Sequence, residues 1–141
     1  MSGENLQFFE NEATDKCSAL YAASSDGFVK NSVFSSNFAD NGATIMVESD
    51  SNLSFDYCTF SKNYGEDTSV LFAQNNPSTS INFTNSRFIN NTAETNLINL
   101  LYSNAVFNNS VFIDNVASAV NHGITLISST ALMHNVIVNY T

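Results

Sequence analysis

Residues 32–45, SVFSSNFADNGATI, carry at their centre Phe34-Ser35-Ser36-Asn37-Phe38-Ala39. The same spelling returns in CTFSKNYG (58–65), SRFINNTA (86–93) and SVFIDNVA (110–117). Each copy holds a Phe, two variable residues, an Asn, one more variable residue and a small residue. The Phe column is Phe8, Phe34, Phe60, Phe88 and Phe112, at intervals of 26, 26, 28 and 24 residues. One further interval of 26 reaches Val138. The Asn column is Asn11, Asn37, Asn63, Asn91 and Asn115, and the small column is Ala13, Ala39, Gly65, Ala93 and Ala117.

Upstream positions repeat as well. Two residues before the Phe stand Leu6, Ser32, Cys58, Ser86, Ser110 and Val136; three before stand Asn5, Asn31, Tyr57, Asn85, Asn109 and Asn135. Five before stand Val29, Phe55, Phe83, Phe107 and Met133, and seven before stand Gly27, Leu53, Ile81, Ala105 and Ala131. Positions −7 and −5 alternate as a half-buried strand does, and so do −2 and 0, with the phase slipped by one residue. A bend at −4 and −3 causes that slip, and Asn suits it because Asn tolerates the left-handed backbone. A third apolar patch follows the small residue: Leu20, then Ile45 and Val47, Val70 and Phe72, Ile98 and Leu100, Ile124 and Leu126.

Three short strands joined by bends, recurring about every 26 residues, describe one turn of a parallel β-helix. The sequence therefore predicts an all-β solenoid of about five coils, with residues 1–141 forming one such segment. Coils stacked at about 4.8 Å make a rod roughly 24 Å long. Helical solenoids need a 3.6-residue period, which is missing. A β-sandwich gives no reason for identical residues in columns. Stacking places each Phe over the last, and each buried Phe contributes about 1.5–3 kcal/mol. The Asn column is expected to bond its own turn and the neighbouring coil. The longest unit carries QNNPSTS (74–80) with the only proline, Pro77, which predicts a loop bulging from one face.

Composition agrees and narrows the function. The chain has 22 Asn, 20 Ser and five Gly, a mixture that favours turn-rich β structure over long helices. Its 13 acids against 4 bases, Lys16, Lys30, Lys62 and Arg87, exclude a nucleic-acid partner, which needs clustered positive charge. They also disfavour anionic membrane surfaces. No apolar run is long enough to insert in a membrane. The acids are uneven: residues 1–70 hold 11 acids and 3 bases, residues 71–141 hold 2 and 1. Residues 1–13 lack the basic and apolar regions of a signal peptide.

The Phe-x-x-Asn units, with NGATI (41–45) and HGITL (122–126) as reduced forms of a second, glycine-rich motif, resemble the repeats of polymorphic outer-membrane proteins. They also resemble repeats in large surface proteins of ciliates and other protists. The resemblance implies a right-handed β-helix of the pectin-lyase type, in a surface-exposed structural or adhesive rod that forms part of a longer protein.

Enzymes share this fold class. Hydrolysis of glycosides needs paired carboxylates; the candidates are Asp26, Asp40, Asp50, Asp56 and Asp67, with no Asp-Asp pair among them. A lyase base would have to be the single arginine, Arg87, which sits at −1 and is expected to point outward. His122 and His134 belong to no His/Cys cluster of the kind zinc requires. Cys17 and Cys58 are expected to remain unpaired, with Cys58 buried. The tyrosines, Tyr21, Tyr57, Tyr64, Tyr102 and Tyr140, form no column that would line a sugar groove. Sequons occur at Asn52, Asn82, Asn90, Asn108 and Asn139, possible glycosylation sites in a secreted protein.

The expectation is thus a non-enzymatic structural or adhesive rod, extracellular or at the cell surface, without cofactor or metal. A carbohydrate-active module and an intracellular scaffold subunit are the alternatives. The expected partners are other β-helix segments or copies of the chain, stacked end to end, and host or matrix surfaces. Repeat positions are occupied from Leu6 to Val138, so both ends are expected to be uncapped.

Overall fold

The computed structural model describes residues 2–118 and 123–139. Its regular structure is all β, and every strand pairing is parallel. The coils stack with the periodicity that the sequence predicts: Phe60 lies opposite Phe34 on one side and Phe88 on the other. Four walls enclose the core.

The Phe wall has three-residue strands: Gln7–Phe9, Val33–Ser35, Thr59–Ser61, Arg87–Ile89, Val111–Ile113 and Ile137–Asn139. Next comes a wall of two-residue strands, Glu12–Ala13, Phe38–Ala39, Tyr64–Gly65, Thr92–Ala93 and Val116–Ala117. The remaining strands form one large sheet with two arms. The first arm holds Cys17–Ala23, Ala43–Glu48 and Ile124–Ile127; the second holds Ser2–Glu4, Asp26–Lys30, Asn52–Asp56 and Thr130–His134. In the two middle coils the arms run together as the long strands Thr68–Thr84 and Asn96–Asn108.

The sequence reading had three strands per coil and treated the stretch after the Asn as a turn only. The structure adds the two-residue wall there. The third apolar patch also needs one correction. Ile45 pairs with Leu71, Met46 with Phe72 and Val47 with Ala73. Leu71 and Ala73 therefore hold the inward column assigned to Val70 and Phe72, although Val70 is buried too. A register shift between Thr68 and Leu71 is the cause, and it leaves Phe72 in an outward row. The loop predicted at 74–80 is a bulge: Asn76 pairs with Ser103 and Ser80 with Asn104, leaving three residues, Pro77, Ser78 and Thr79, over.

Among the described residues, seventeen other than glycine have positive φ, between 47° and 56°. All fall in three columns. The first is the predicted Asn5, Asn31, Tyr57, Asn85, Asn109 and Asn135. The second, two residues after each Phe, is Glu10, Ser36, Lys62, Asn90 and Asp114. The third separates the two arms: Ser24, Ser49 with Asp50, Asn75, Tyr102 and Ser128. The left-handed conformation costs a non-glycine residue about 1–2 kcal/mol, so each corner requires compensation.

Candidate functional site

Compensation comes mostly from the residue after the left-handed position, which turns inward and bonds the coil before it; Leu6 and Val136 instead pack against the core. At the second corner this residue is the Asn. The Asn37 backbone N–H and Nδ2 both donate to Asn63 Oδ1, at 3.1 and 2.9 Å. Asn63 does the same to Asn91, and Asn91 to Asn115. Asn11 begins the series on Asn37. Each Nδ2 also reaches a Phe carbonyl one coil back: Asn63 to Phe34 O at 3.0 Å, Asn91 to Phe60 O at 2.9 Å. Asn37, Asn63, Asn91 and Asn115 are all buried. The expectation that this column bonds the neighbouring coil holds, and the amide has the two donors and the carbonyl that such a ladder needs.

The other corners use hydroxyls in the same geometry. Ser32, Ser86 and Ser110 follow the first corner; Leu6 N–H donates to Ser32 Oγ at 3.0 Å and Ser86 N–H to Ser110 Oγ at 3.3 Å. Each Oγ donates to the carbonyl two residues back in its own chain, Lys30, Thr84 and Asn108. Cys58 takes the Ser position in one coil, buried, with Sγ 3.6 Å from Asp56 O. Ser25, Ser51, Asn76, Ser103 and Ser129 follow the third corner. There Ser25 N–H donates to Ser51 Oγ at 3.1 Å and Ser103 N–H to Ser129 Oγ at 3.0 Å. This third ladder was missed in the sequence. Its signal is a column of Ser or Asn in register with the Phe repeat, hidden among many other serines.

The Phe column is one continuous stack. Ring centroids from Phe8 through Phe34, Phe60 and Phe88 to Phe112 are 4.4, 4.8, 5.0 and 4.3 Å apart, and the planes lie within 15°. A second stack, Phe55, Phe83 and Phe107, meets the first edge to face at 5.4–6.1 Å. Offset stacking within each column and T-shaped contact between columns are the arrangements the ring quadrupole prefers.

Candidate chemical groups fall outside these columns. Asp26, Asp50 and Asp56 accept hydrogen bonds at different bends: from Asn52 N–H, Ser78 N–H and Asn85 Nδ2 respectively. Among the described residues no three His, Cys, Asp or Glu side chains gather closely enough to hold a metal ion. Arg87 and His134 are exposed, and His122 lies outside the described residues. Cys17 and Cys58 are both free. Burial pushes both thiols up, and Cys17 is half-buried. Of the sequon residues, Asn52, Asn90 and Asn139 are exposed, whereas Asn82 and Asn108 are half-buried between neighbouring rungs. Asn82 Nδ2 donates to Ser80 O at 3.1 Å.

Outside the first arm lies a cleft of about 270 Å³. Its lip is a stack of turns one coil apart, Asp15-Lys16, Asn41-Gly42 and Asp67-Thr68. Their carbonyls link the coils: Ala43 N–H donates to Lys16 O at 3.2 Å and Thr68 N–H to Gly42 O at 3.3 Å. A Cβ on Gly42 would stand 1.7 Å from Lys16 O, so only glycine allows this approach. The floor is the outward row Met46, Phe72 and Asn99, with Gln74 beside it. Gln74 Nε2 donates to Glu48 Oε1, and Tyr21 OH donates to Glu48 Oε2 at 2.6 Å. The Tyr21 hydroxyl, with help from Gln74 and Lys16, holds the Glu48 carboxyl below its ordinary value and is itself pushed up by that bond.

The fold defines the class: a parallel β-solenoid with aromatic and amide ladders. Compared with family models, curated proteins and solved structures, the chain has no significant match in any of the three.

Proposed function

We propose that the chain is a non-enzymatic structural or adhesive rod of the Phe-x-x-Asn, pectin-lyase-like kind, in a cell-surface or extracellular protein. The observation that carries this reading is the Asn ladder. Residues that recur in every coil turn inward and bond the adjacent coil, while the outward rows change character from coil to coil. Position −1, for example, is Gln7, Val33, Thr59, Arg87, Val111 and Ile137. Such a pattern preserves a shape and leaves the surface free to diverge. Its partners in that role are further coils of the same kind, in a longer chain or in a copy, because each ladder offers the next coil the same donors and acceptors. Host or matrix surfaces would meet the outward rows.

Antibodies raised against the folded chain test the location. On intact source cells or their shed matrix they are expected to bind without permeabilisation. Binding only after permeabilisation would support the scaffold alternative instead. Depolymerisation of any member of an acidic and neutral polysaccharide panel by the purified chain would support the carbohydrate-active alternative.

A further inference from the structure

We propose that the cleft outside the first arm binds the guanidinium or ammonium group of a cationic ligand. Four buried side-chain oxygens among the described residues lack a hydrogen-bond partner, and two of them, Thr68 Oγ1 and Asn99 Oδ1, belong to residues that line this one cleft, just beneath its surface. Thr68 has 0% exposure, yet its hydroxyl is left unmatched. A buried hydroxyl without a partner is costly, and native proteins avoid it unless the group has another use.

The lip carries two carboxylates against one ammonium, and acceptors stand beside the amide N–H donors of Gln74 and Asn99. Asn99 Oδ1 only accepts, Thr68 Oγ1 has two lone pairs, and Asp15 and Asp67 bring carboxylates to the lip. Phe72 supplies an aromatic surface on the floor, where the register shift after Thr68 turned it outward. Guanidinium offers five N–H donors, no acceptor, a positive charge and a planar face that stacks on aromatic rings. Ammonium offers three donors and the same charge. The one cation on the lip, Lys16, has its ammonium within electrostatic reach of Glu48, whose carboxyl it helps to keep ionised. The wider field favours a cation too, since residues 1–70 carry 11 of the 13 acids. This reading does not depend on where the rod is located in the organism.

Amide chemical shifts of the labelled chain, titrated with arginine amide, test it. The expected result is saturable movement of the Thr68, Phe72, Gln74 and Asn99 signals, weakened by salt. Citrulline amide, neutral and nearly the same shape, is expected to leave them in place. Asp67→Asn combined with Asp15→Asn should weaken arginine amide by about tenfold or more, the scale of a lost charge-assisted hydrogen bond. Thr68→Val should weaken binding while raising the urea midpoint, because it removes an unmatched hydroxyl. Agmatine and the acetylated tripeptide Gly-Arg-Gly distinguish two sources: tighter agmatine binding indicates a free amine, and tighter tripeptide binding a side chain of a protein partner. No movement at millimolar arginine amide, equal response to citrulline amide, or movement with galactose alone would overturn the proposal.

Discussion

The Phe wall and the first arm share the same rungs, yet one keeps strict register through six strands and the other loses it. No shift interrupts the pairings of the Phe wall. The first arm slips between Cys17 and Leu20 and again between Thr68 and Leu71. The difference lies in how the strands are held. In the coils between Ser32 and Asn115 a Phe-wall strand is five residues from corner ladder to corner ladder, Ser32 to Asn37 or Ser86 to Asn91, with side-chain bonds at both ends. The first arm has a regular ladder at its far end, whereas the side-chain links at its near end change from coil to coil, Cys17 Sγ to Thr44 O and Thr44 Oγ1 to Ser69 O. Its near end follows a turn of variable length: Ala13 to Leu20, Ala39 to Ile45, Gly65 to Leu71 and Ala93 to Ile98 are 7, 6, 6 and 5 residues. A strand clamped at both ends cannot slip. One held irregularly at its near end can, and the slippage creates the outward Phe72 and the cleft above it.

The strongest way to break this comparison is at the Phe wall. Phe60 is fully buried between Phe34 and Phe88, and Phe60→Ala is expected to cost about 3–5 kcal/mol in urea unfolding, the range for core aromatic truncation. A midpoint equal to that of the corner substitution Lys62→Ala would refute the stacked column. Register in the first arm is tested by a pair of neighbours. Leu71→Ala should cost about 2–5 kcal/mol as an inward truncation. Phe72→Ala, on the outward side of the same strand, should cost under about 1 kcal/mol. The reverse order would restore the sequence reading, in which Phe72 pointed inward.

Asn63→Ala isolates the clamp itself. It removes the acceptor of Asn37 N–H and Nδ2 and the donor to Phe34 O, so about 1–3 kcal/mol is expected for the groups left unmatched. Hydrogen exchange should then rise most at Asn37 and at the rung of the Phe wall it anchors. An unchanged Asn37 amide would mean that the ladder is incidental.

The smallest effect belongs to the exposed side of the first arm. Because the Glu48 carboxyl is lowered in the folded chain, its contribution is present above the ordinary carboxylate range and is lost as pH falls through the lowered value. Tyr21 is raised, so the same bond is present below the ordinary tyrosine range and is lost as pH climbs past it. Glu48→Gln should flatten a shallow acid slope in the urea midpoint. An identical slope in the variant would show that the bond contributes nothing, as with many solvent-screened pairs.

Part of this was legible from residue spacing. The Phe, Asn and small columns recur by identity, so their stacking could be read without coordinates. The first corner was legible because Asn advertises a left-handed backbone. The second corner was not: Glu10, Ser36, Lys62, Asn90 and Asp114 have little in common, because the conformation there is enforced by the inward Asn that follows. Tyr57 adopts the same φ as the Asn residues of its column because the inward residue that follows it, Cys58, is buried like their serines. In the cleft, Phe72 misled because an aromatic in an apolar run reads as core until a partner strand fixes its side.

The sequence by itself determined the period, the parallel stacking and the identity of the core columns, since those depend only on like residues recurring one coil apart. Tertiary structure decided which way Val70, Leu71 and Phe72 face and where Pro77 to Thr79 are extruded. It also decided that Thr68 and Asn99, in different coils, line one cleft and leave unmatched oxygens there beneath its surface. Side-chain direction alternates every residue along a strand, so a single slip exchanges inside for outside, and only the bonds to the neighbouring coil fix where the slip occurs.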